Sequence, residues 1–339
     1  MKALFIGGTG TISTAISRQL LEQGSELYLL NRGTRNSVLP QGVREIHCDI
    51  NNEADAAAKL QDLSFDVVAD FIAFRAEQLE RDFRLFKNKT RQFIFISSAS
   101  AYQKPLSDPH VTEGTPLSNP FWQYSRDKIA GEEFLMGKYR EEAFPVTIIR
   151  PSHTYDERAV PLGVHGKNGS WQVVKRILDG KPVIIHGDGT SLWTMTHNSD
   201  FARAFIGLMG NIHAIGEAVQ ITSDELVTWN QVYETIAAAA GKPLKSVHIS
   251  SSFLAQVGKE YDFLGGLIGD KANSVILDNS KLHRLAPGFA AVIRMDQGIR
   301  NTVENILTHP ELQKEDPEFD AWCDRVIAAR EKAIIEARG

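Results

Sequence analysis

Cysteine is scarce in this 339-residue chain: Cys48 and Cys323 stand far apart and share no ligand-like spacing. That scarcity excludes a disulfide framework and a thiolate metal cluster, and it fits a reducing compartment. Long apolar runs are missing as well, and Met1 to Ile6 enter a strand pattern with no basic segment ahead of them. Secretion and membrane insertion are therefore not expected, whereas a cytoplasmic location is. No Lys/Arg block stands out against a net charge of −5, so neither nucleic acid nor an anionic lipid surface is an expected partner. His165, His186 and His197 are scattered among turns without ligand spacing, so no metal is assigned. Internal repeats and low-complexity stretches are also lacking.

What is present is ordinary for a globular protein, with 42% apolar and 23% charged residues. The length exceeds what a single core usually supports, which predicts one large α/β domain with a smaller appended lobe. Short apolar runs alternate with amphipathic stretches through the first half. Strands are expected at Ala3 to Ile6, Leu27 to Leu30, Val43 to Cys48, Asp66 to Asp70, Gln92 to Ser97 and Val146 to Arg150. Helical spacing falls between them near 16–21, 53–62, 76–88 and 122–142. This alternation is that of βαβ units, and it predicts a Rossmann-type, doubly wound parallel sheet of six strands. Residues 1–160, receiving 196–216, are expected to form the dinucleotide-binding domain. Residues 161–195 and 217–339 are expected to form a C-terminal substrate lobe, with helices near 170–180, 228–240 and 295–308. The charged amphipathic tail at 317–337 reads as a surface or docking helix.

The segment Gly7-Gly8-Thr9-Gly10-Thr11-Ile12 lies where the first strand meets the first helix. Backbone N–H groups and the helix N-terminus at such a junction can hold a pyrophosphate, which points to a nicotinamide dinucleotide. Ser13 stands where a third small glycine is usual. At the end of the second strand the chain reads Asn31-Arg32-Gly33-Thr34-Arg35, without the acidic residue that would bind an unphosphorylated ribose. Arg32 can pair with a 2′-phosphate, so NADP is favoured over NAD, with Asn31 as the alternative NAD contact. Asp49, closing the third strand, is read either as an adenine contact or as a helix cap. Ile50 and Phe71, at neighbouring strand ends, complete the expected cofactor set.

Tyr124 and Lys128 are four residues apart on a helical stretch and so share one face. A phenol with an ordinary pKa of about 10 is a poor base at neutral pH, but an adjacent ammonium favours phenolate. Ser98 closes the fifth strand at the carboxyl edge of the sheet, where a hydroxyl can orient a substrate oxygen. Lys128 is also expected to bind the nicotinamide ribose. A serine-hydrolase reading of Ser98 with His153 fails for want of a Gly-x-Ser-x-Gly elbow.

Together these segments resemble the extended short-chain dehydrogenase/reductases, the NAD-dependent epimerase/dehydratase family. The resemblance is carried by Gly7 to Gly10, Phe95 to Tyr102, Tyr124 to Lys128, Arg150 to Tyr155, His186 to Thr190 and Asp200-Phe201-Ala202. Asn31 to Gly33 and Asp70 to Ile72 are most similar to a branch that includes chloroplast stem-loop-binding proteins. The resemblance implies a homodimer formed through 76–88 and 122–142. Family 4,6-dehydratases carry an Asp-Glu pair after the serine or threonine, whereas Ala99 and Ser100 follow Ser98, which argues against dehydration. Nucleotide-sugar epimerases commonly place an Asn and an Arg where His153 and Trp193 stand here. An indole stacks on sugar C–H faces better than it grips phosphate, so Ser100, His153 and Trp193 are read as contacts to a carbohydrate-like small molecule. The expected activity is dehydrogenase, reductase or epimerase chemistry on a secondary alcohol or ketone. The competing class is an RNA-binding or dinucleotide-sensing protein on the same fold.

Overall fold

The computed structural model describes residues 1–33 and 40–339, so Thr34 and Arg35 lie outside the described residues. The chain forms two compact units, one of Met1–Thr154, Thr196–Asp224 and Leu277–Val292, the other of Tyr155–Met195, Glu225–Ile276 and Ile293–Gly339.

The first unit is built on a seven-stranded parallel sheet: β1 (Lys2–Ile6), β2 (Glu26–Asn31), β3 (Arg44–His47), β4 (Val67–Asp70), β5 (Phe93–Ile96), β6 (Val146–Pro151) and β7 (Ala218–Ile221), in the order β7-β6-β5-β4-β1-β2-β3. β1, β4, β5 and β6 are apolar almost throughout because helices cover both faces of the sheet. β3 reads Arg-Glu-Ile-His and lies at an edge, where charge blunts an exposed ladder. Helices α1 (Thr11–Glu22), α2 (Glu53–Lys59), α3 (Ala76–Phe86) and α4 (Gln123–Glu142) join these strands, and α5 (Asn198–Leu208) lies against α1. Gln19 Nε2 donates to Ser199 O and Asn198 Nδ2 to Thr11 O, which pins that pair of helices. At Gly131 a Cβ would stand 2.7 Å from Leu79 Cδ1, so glycine permits the close approach of α4 to α3.

The sheet has one strand more than the expected six. Ala218 to Ile221 pair with Ile148 to Pro151, so residues beyond 216 belong to this unit. Leu282, Ala286 and Phe289 share a core cluster with Val219 and Ile221, which brings Leu277–Val292 to the same body. A four-residue strand, Ala-Val-Gln-Ile, declares itself only through its neighbour in the sheet.

The second unit contains the parallel pair Val183–His186 with Ser246–Ile249, and helices Trp171–Leu178, Trp229–Ala239, Met295–Thr308 and Pro317–Ala337. The last of these docks through its first half. Phe319, Trp322, Cys323, Val326 and Ile327 are buried, and Trp322 lies 5.2 Å from Tyr261 and 5.6 Å from Phe263. Arg176, 1% exposed, donates to Asp320 and Asp324 on the same helix. A π-helix at Leu264–Lys271 ends on a carbonyl that accepts from Ser191 Oγ, Trp229 Nε1 and His186 Nε2. Burial pulls the His186 imidazole down to about 4, so it is neutral. Among the described residues no helix is long and apolar enough to cross a membrane.

The aromatic cluster gives the tail helix an uneven energetic profile. Trp322→Ala is expected to destabilise the second unit by about 3–5 kcal/mol, as truncation of a buried aromatic does. Ile335→Ala, at a position 70% exposed, is expected to fall within about 0.5 kcal/mol of wild type. Urea denaturation followed by far-UV circular dichroism checks both, and equal midpoints for the two variants would refute the docked arrangement.

Candidate active site

The glycine turn leaves β1 with Gly7 at φ +86° and Gly8 at φ +136°. A Cβ on Gly7 would stand 2.7 Å from Ile72 Cγ2, and one on Gly8 would stand 2.8 Å from Leu29 Cδ2, so both conformation and space demand glycine. Gly10 caps α1, and its N–H donates to Ser13 Oγ at 3.0 Å. Ser13, unusual where a small glycine is common, thus closes the turn it belongs to. The first turn of α1 carries no acidic residue, which keeps a helix N-terminus suited to anions. Thr11 and Ile12 begin that helix, with Ile12 packed on the core.

Beside this turn lies a cavity of about 510 Å³ in the first unit. It brings together Gly7, Thr9, Asn31, Arg32, Asp49 and Ile50 from the expected cofactor set, with Ile72, Phe74 and Gln78 on another side. A pocket joining the glycine turn to the ends of β2 and β3 fits a dinucleotide in size and lining. Asn31 Oδ1 accepts the Gly33 N–H at 2.8 Å, and the Arg32 side chain is exposed. Asp49 is not a helix cap. Asn52 has that role, accepting the Asp55 N–H, while Asp49 Oδ1 accepts the backbone and side-chain N–H groups of Asn51. Phe71 also departs from expectation: its ring packs 5.1 Å from Phe5 and 5.8 Å from Phe205, and Ile72 and Phe74 line the cavity instead.

The loop after β4 is fixed residue by residue. Phe71 N–H donates to Ile6 O, those of Ile72 and Ala73 donate to Asp70 Oδ1, and those of Phe74 and Arg75 donate to Gln78 Oε1. Asp70 is fully buried, and its other oxygen lies 3.6 Å from Arg81. This loop presents the Ala73 carbonyl and the Phe74 ring to Lys128.

Lys128, 3% exposed on α4, donates to Ala73 O and Ile96 O at 2.7 Å each. Its ammonium lies 4.6 Å from the Phe74 ring centre, 4.8 Å from Phe95 and 5.7 Å from Tyr124. Burial lowers its pKa to about 8, against the opposing pull of Asp70 and Glu132. Tyr124, half-buried one turn earlier, contacts Trp122 at 4.9 Å and Phe74 at 6.2 Å. The Tyr124 and Lys128 pair therefore stands on one face, beside a wall of the cavity.

At the end of β5 the side chains alternate. Ser97 Oγ turns inward to Glu132 Oε1, which also pairs with buried Arg150, and Arg150 lies over the Tyr102 ring. Ser98 is half-buried, and its Oγ accepts the Ser100 N–H at 3.1 Å and meets Ser100 Oγ at 2.9 Å. Ser100, expected to touch substrate, is 3% exposed and receives the Ser125 hydroxyl. His153 is half-buried in the first unit. Trp193 belongs to the second unit, on a short strand paired with Val227–Thr228, and at 2% exposure it has no open face for stacking. Phe74, Gln78 and Ser125 were not singled out from sequence. Nothing local in the sequence marks any of the three, since Arg75 is not among the N-cap residues that would flag Gln78 as a capping partner.

Known proteins share sequence and fold with this chain. The chain is 26% identical over 290 residues to a 2′-dehydrokanamycin reductase of Streptomyces kanamyceticus, covering 85% of this chain and 80% of that protein. It is 28% identical over 282 residues to the chloroplast stem-loop binding protein of 41 kDa b of Arabidopsis thaliana, covering 77% and 68%. The solved structure of UDP-glucuronic acid 4-epimerase from Bacillus cereus, in complex with UDP-glucuronic acid and NAD, superposes with a TM-score of 0.71 at 20% identity, covering 91% and 99%, which shows a shared fold. The model of the NAD dependent epimerase/dehydratase family matches residues 3–222, and the chain belongs to that family.

Proposed function

We propose that this protein is a nicotinamide-dependent reductase, dehydrogenase or epimerase acting on a secondary alcohol or ketone of a carbohydrate-like small molecule. The observation that carries the proposal is the pairing of Tyr124 with a buried Lys128 ammonium beside the glycine-turn cavity. A bound nicotinamide supplies or takes up the hydride. Tyr124 moves the proton of the reacting oxygen, Ser98 holds that oxygen, and Lys128 contributes a positive field and a hydrogen bond to the ribose. Ala99 and Ser100 offer no acid–base pair after Ser98, which supports redox chemistry without dehydration. The relative named for reduction of 2′-dehydrokanamycin supports a sugar-like ketone that bears no nucleotide diphosphate. With Trp193 buried, this reading does not depend on indole stacking. Arg32, exposed at the cavity with no acidic residue closing β2, supports NADP.

Three outcomes are expected. Titration of the protein with each cofactor should give tighter binding of NADP, and Arg32→Ala should weaken NADP by roughly 10- to 100-fold, as loss of a charge-assisted contact does, with NAD little changed; tighter NAD binding would refute the assignment. NADPH oxidation should be detectable with 2′-dehydrokanamycin or a methyl 2-ketohexopyranoside, and Tyr124→Phe should lower it roughly 10²- to 10⁴-fold. A panel in which UDP-glucose and UDP-galactose alone react would overturn the non-nucleotide reading. Ketone reduction needs protonated Tyr124 and charged Lys128, so its rate should fall as pH rises through about 8, where Lys128 loses its proton. A pH–rate profile flat to pH 10 would contradict a role for that ammonium.

A further inference from the structure

We propose that Ser125 and Ser100 form a one-way hydroxyl relay that makes Ser98 an obligate hydrogen-bond donor toward the substrate oxygen; this rests on the hydride-transfer reading above. Ser125 is fully buried and Ser100 is 3% exposed, so neither hydroxyl has bulk water to satisfy it. Ser125 Oγ donates to Ser100 Oγ at 2.7 Å. Ser100 then carries a proton of its own, and the acceptor in reach is Ser98 Oγ at 2.9 Å. A reversed bond, from Ser98 to Ser100, would leave the Ser100 proton buried without an acceptor, an arrangement disfavoured by roughly tenfold or more in population.

Ser98 Oγ therefore receives two donors, the Ser100 hydroxyl and the Ser100 N–H at 3.1 Å. Both of its lone pairs are engaged, and its own proton is left to point away from the relay. Asn119 Nδ2 donates to Ser100 O at 2.8 Å and holds the segment in this register. Ser125 acts through Ser100 and is a positioning residue. The polarity selects an atom that presents a lone pair, a ketone or hydroxyl oxygen, and rejects a protonated amine at the reacting carbon. In ketone reduction the carbonyl carbon gains the hydride, its oxygen gains the Tyr124 proton, the nicotinamide is oxidised, and Ser98 keeps its proton throughout.

Neutron diffraction from crystals grown in D₂O reads the polarity directly. Deuterons are expected on Ser125 Oγ aimed at Ser100, on Ser100 Oγ aimed at Ser98, and on Ser98 Oγ aimed off the relay. A Ser98 deuteron aimed at Ser100 overturns the proposal, whether or not a ketone is turned over. Kinetically, Ser125→Ala should lower kcat for NADPH-dependent reduction of a methyl 2-ketohexopyranoside roughly tenfold, with the KM for NADPH unchanged. Ser125→Thr should restore it. In a Ser100→Ala background, Ser125→Ala should have no further effect. Full additivity of the two changes, or an unchanged kcat in Ser125→Ala, overturns the relay. The predicted deuterons in a protein that reduces none of the ketones would uphold the relay while sinking the hydride-transfer reading.

Discussion

One buried charge organises the reacting edge of the sheet. The Lys128 ammonium draws the carbonyl that follows β4 and the one that ends β5 onto the same point of α4, and three aromatic rings close around it. An ammonium so enclosed loses most of its hydration, and the fall of its pKa to about 8 expresses that loss. Two carbonyl dipoles, three ring faces and the fields of Asp70 and Glu132 oppose it, enough to keep the group charged at neutral pH. The same contacts set geometry. Ala73 and Phe74 can reach Lys128 because the loop from Phe71 to Arg75 has every N–H engaged, by Ile6, Asp70 or Gln78.

Asp70 links this charge to a second buried cluster. Its carboxylate faces Arg81, which donates to Asp82 and to Asn51 at the cavity wall. Burial and the neighbouring Asp70 charge push Asp82 well above the usual carboxylate range, so it favours the protonated form. A carboxylate, a guanidinium and a neutral acid then sit together without excess charge. Such a buried arrangement is tolerated only while complete, since removal of one member strands another in a low dielectric. Its consequence is a stiff wall: Asn51, which binds Asp49, is tied through Arg81 to the helix that follows the Phe74 loop.

How much of this was legible in the sequence depends on the range of the interaction that determines each feature. Strands β1 to β6 and the glycine turn are written locally, in apolar runs and in positions where only glycine fits. The shared face of Tyr124 and Lys128 is written in helical periodicity. β7 is not, because four residues of mixed character become a strand only when β6 offers a partner. Phe71 and Ile72 illustrate the same limit at one-residue scale: adjacent apolar side chains point to opposite surfaces, and only the packing of Phe5 and Phe205 decides which faces the cavity. Asn52 displaces Asp49 as the cap of α2 because the helix begins at Glu53, three residues later than a cap at Asp49 would need. Ser125 was invisible for another reason. A serine inside a charged helical segment is unremarkable until the fold sets it 2.7 Å from a second buried hydroxyl 25 residues away.

The proposed chemistry follows from how donors are distributed. Lys128 has two of its three protons committed to backbone carbonyls, and a relay ending on Ser98 leaves that hydroxyl able to give but not to take. A fixed donor at Ser98 suits a carbonyl oxygen, and with the positive field of Lys128 it would stabilise the negative charge that grows on that oxygen as hydride arrives. Neither can accept a proton in the reverse direction. In the proposed chemistry proton exchange then falls to Tyr124, whose ring centre lies 5.7 Å from the ammonium. Such a site separates its tasks, with fixed donors for charge and one mobile proton for chemistry. On the proposed reading it would run in either direction according to the cofactor bound, and whether net turnover is reduction, oxidation or epimerisation would depend on how long the altered cofactor stays.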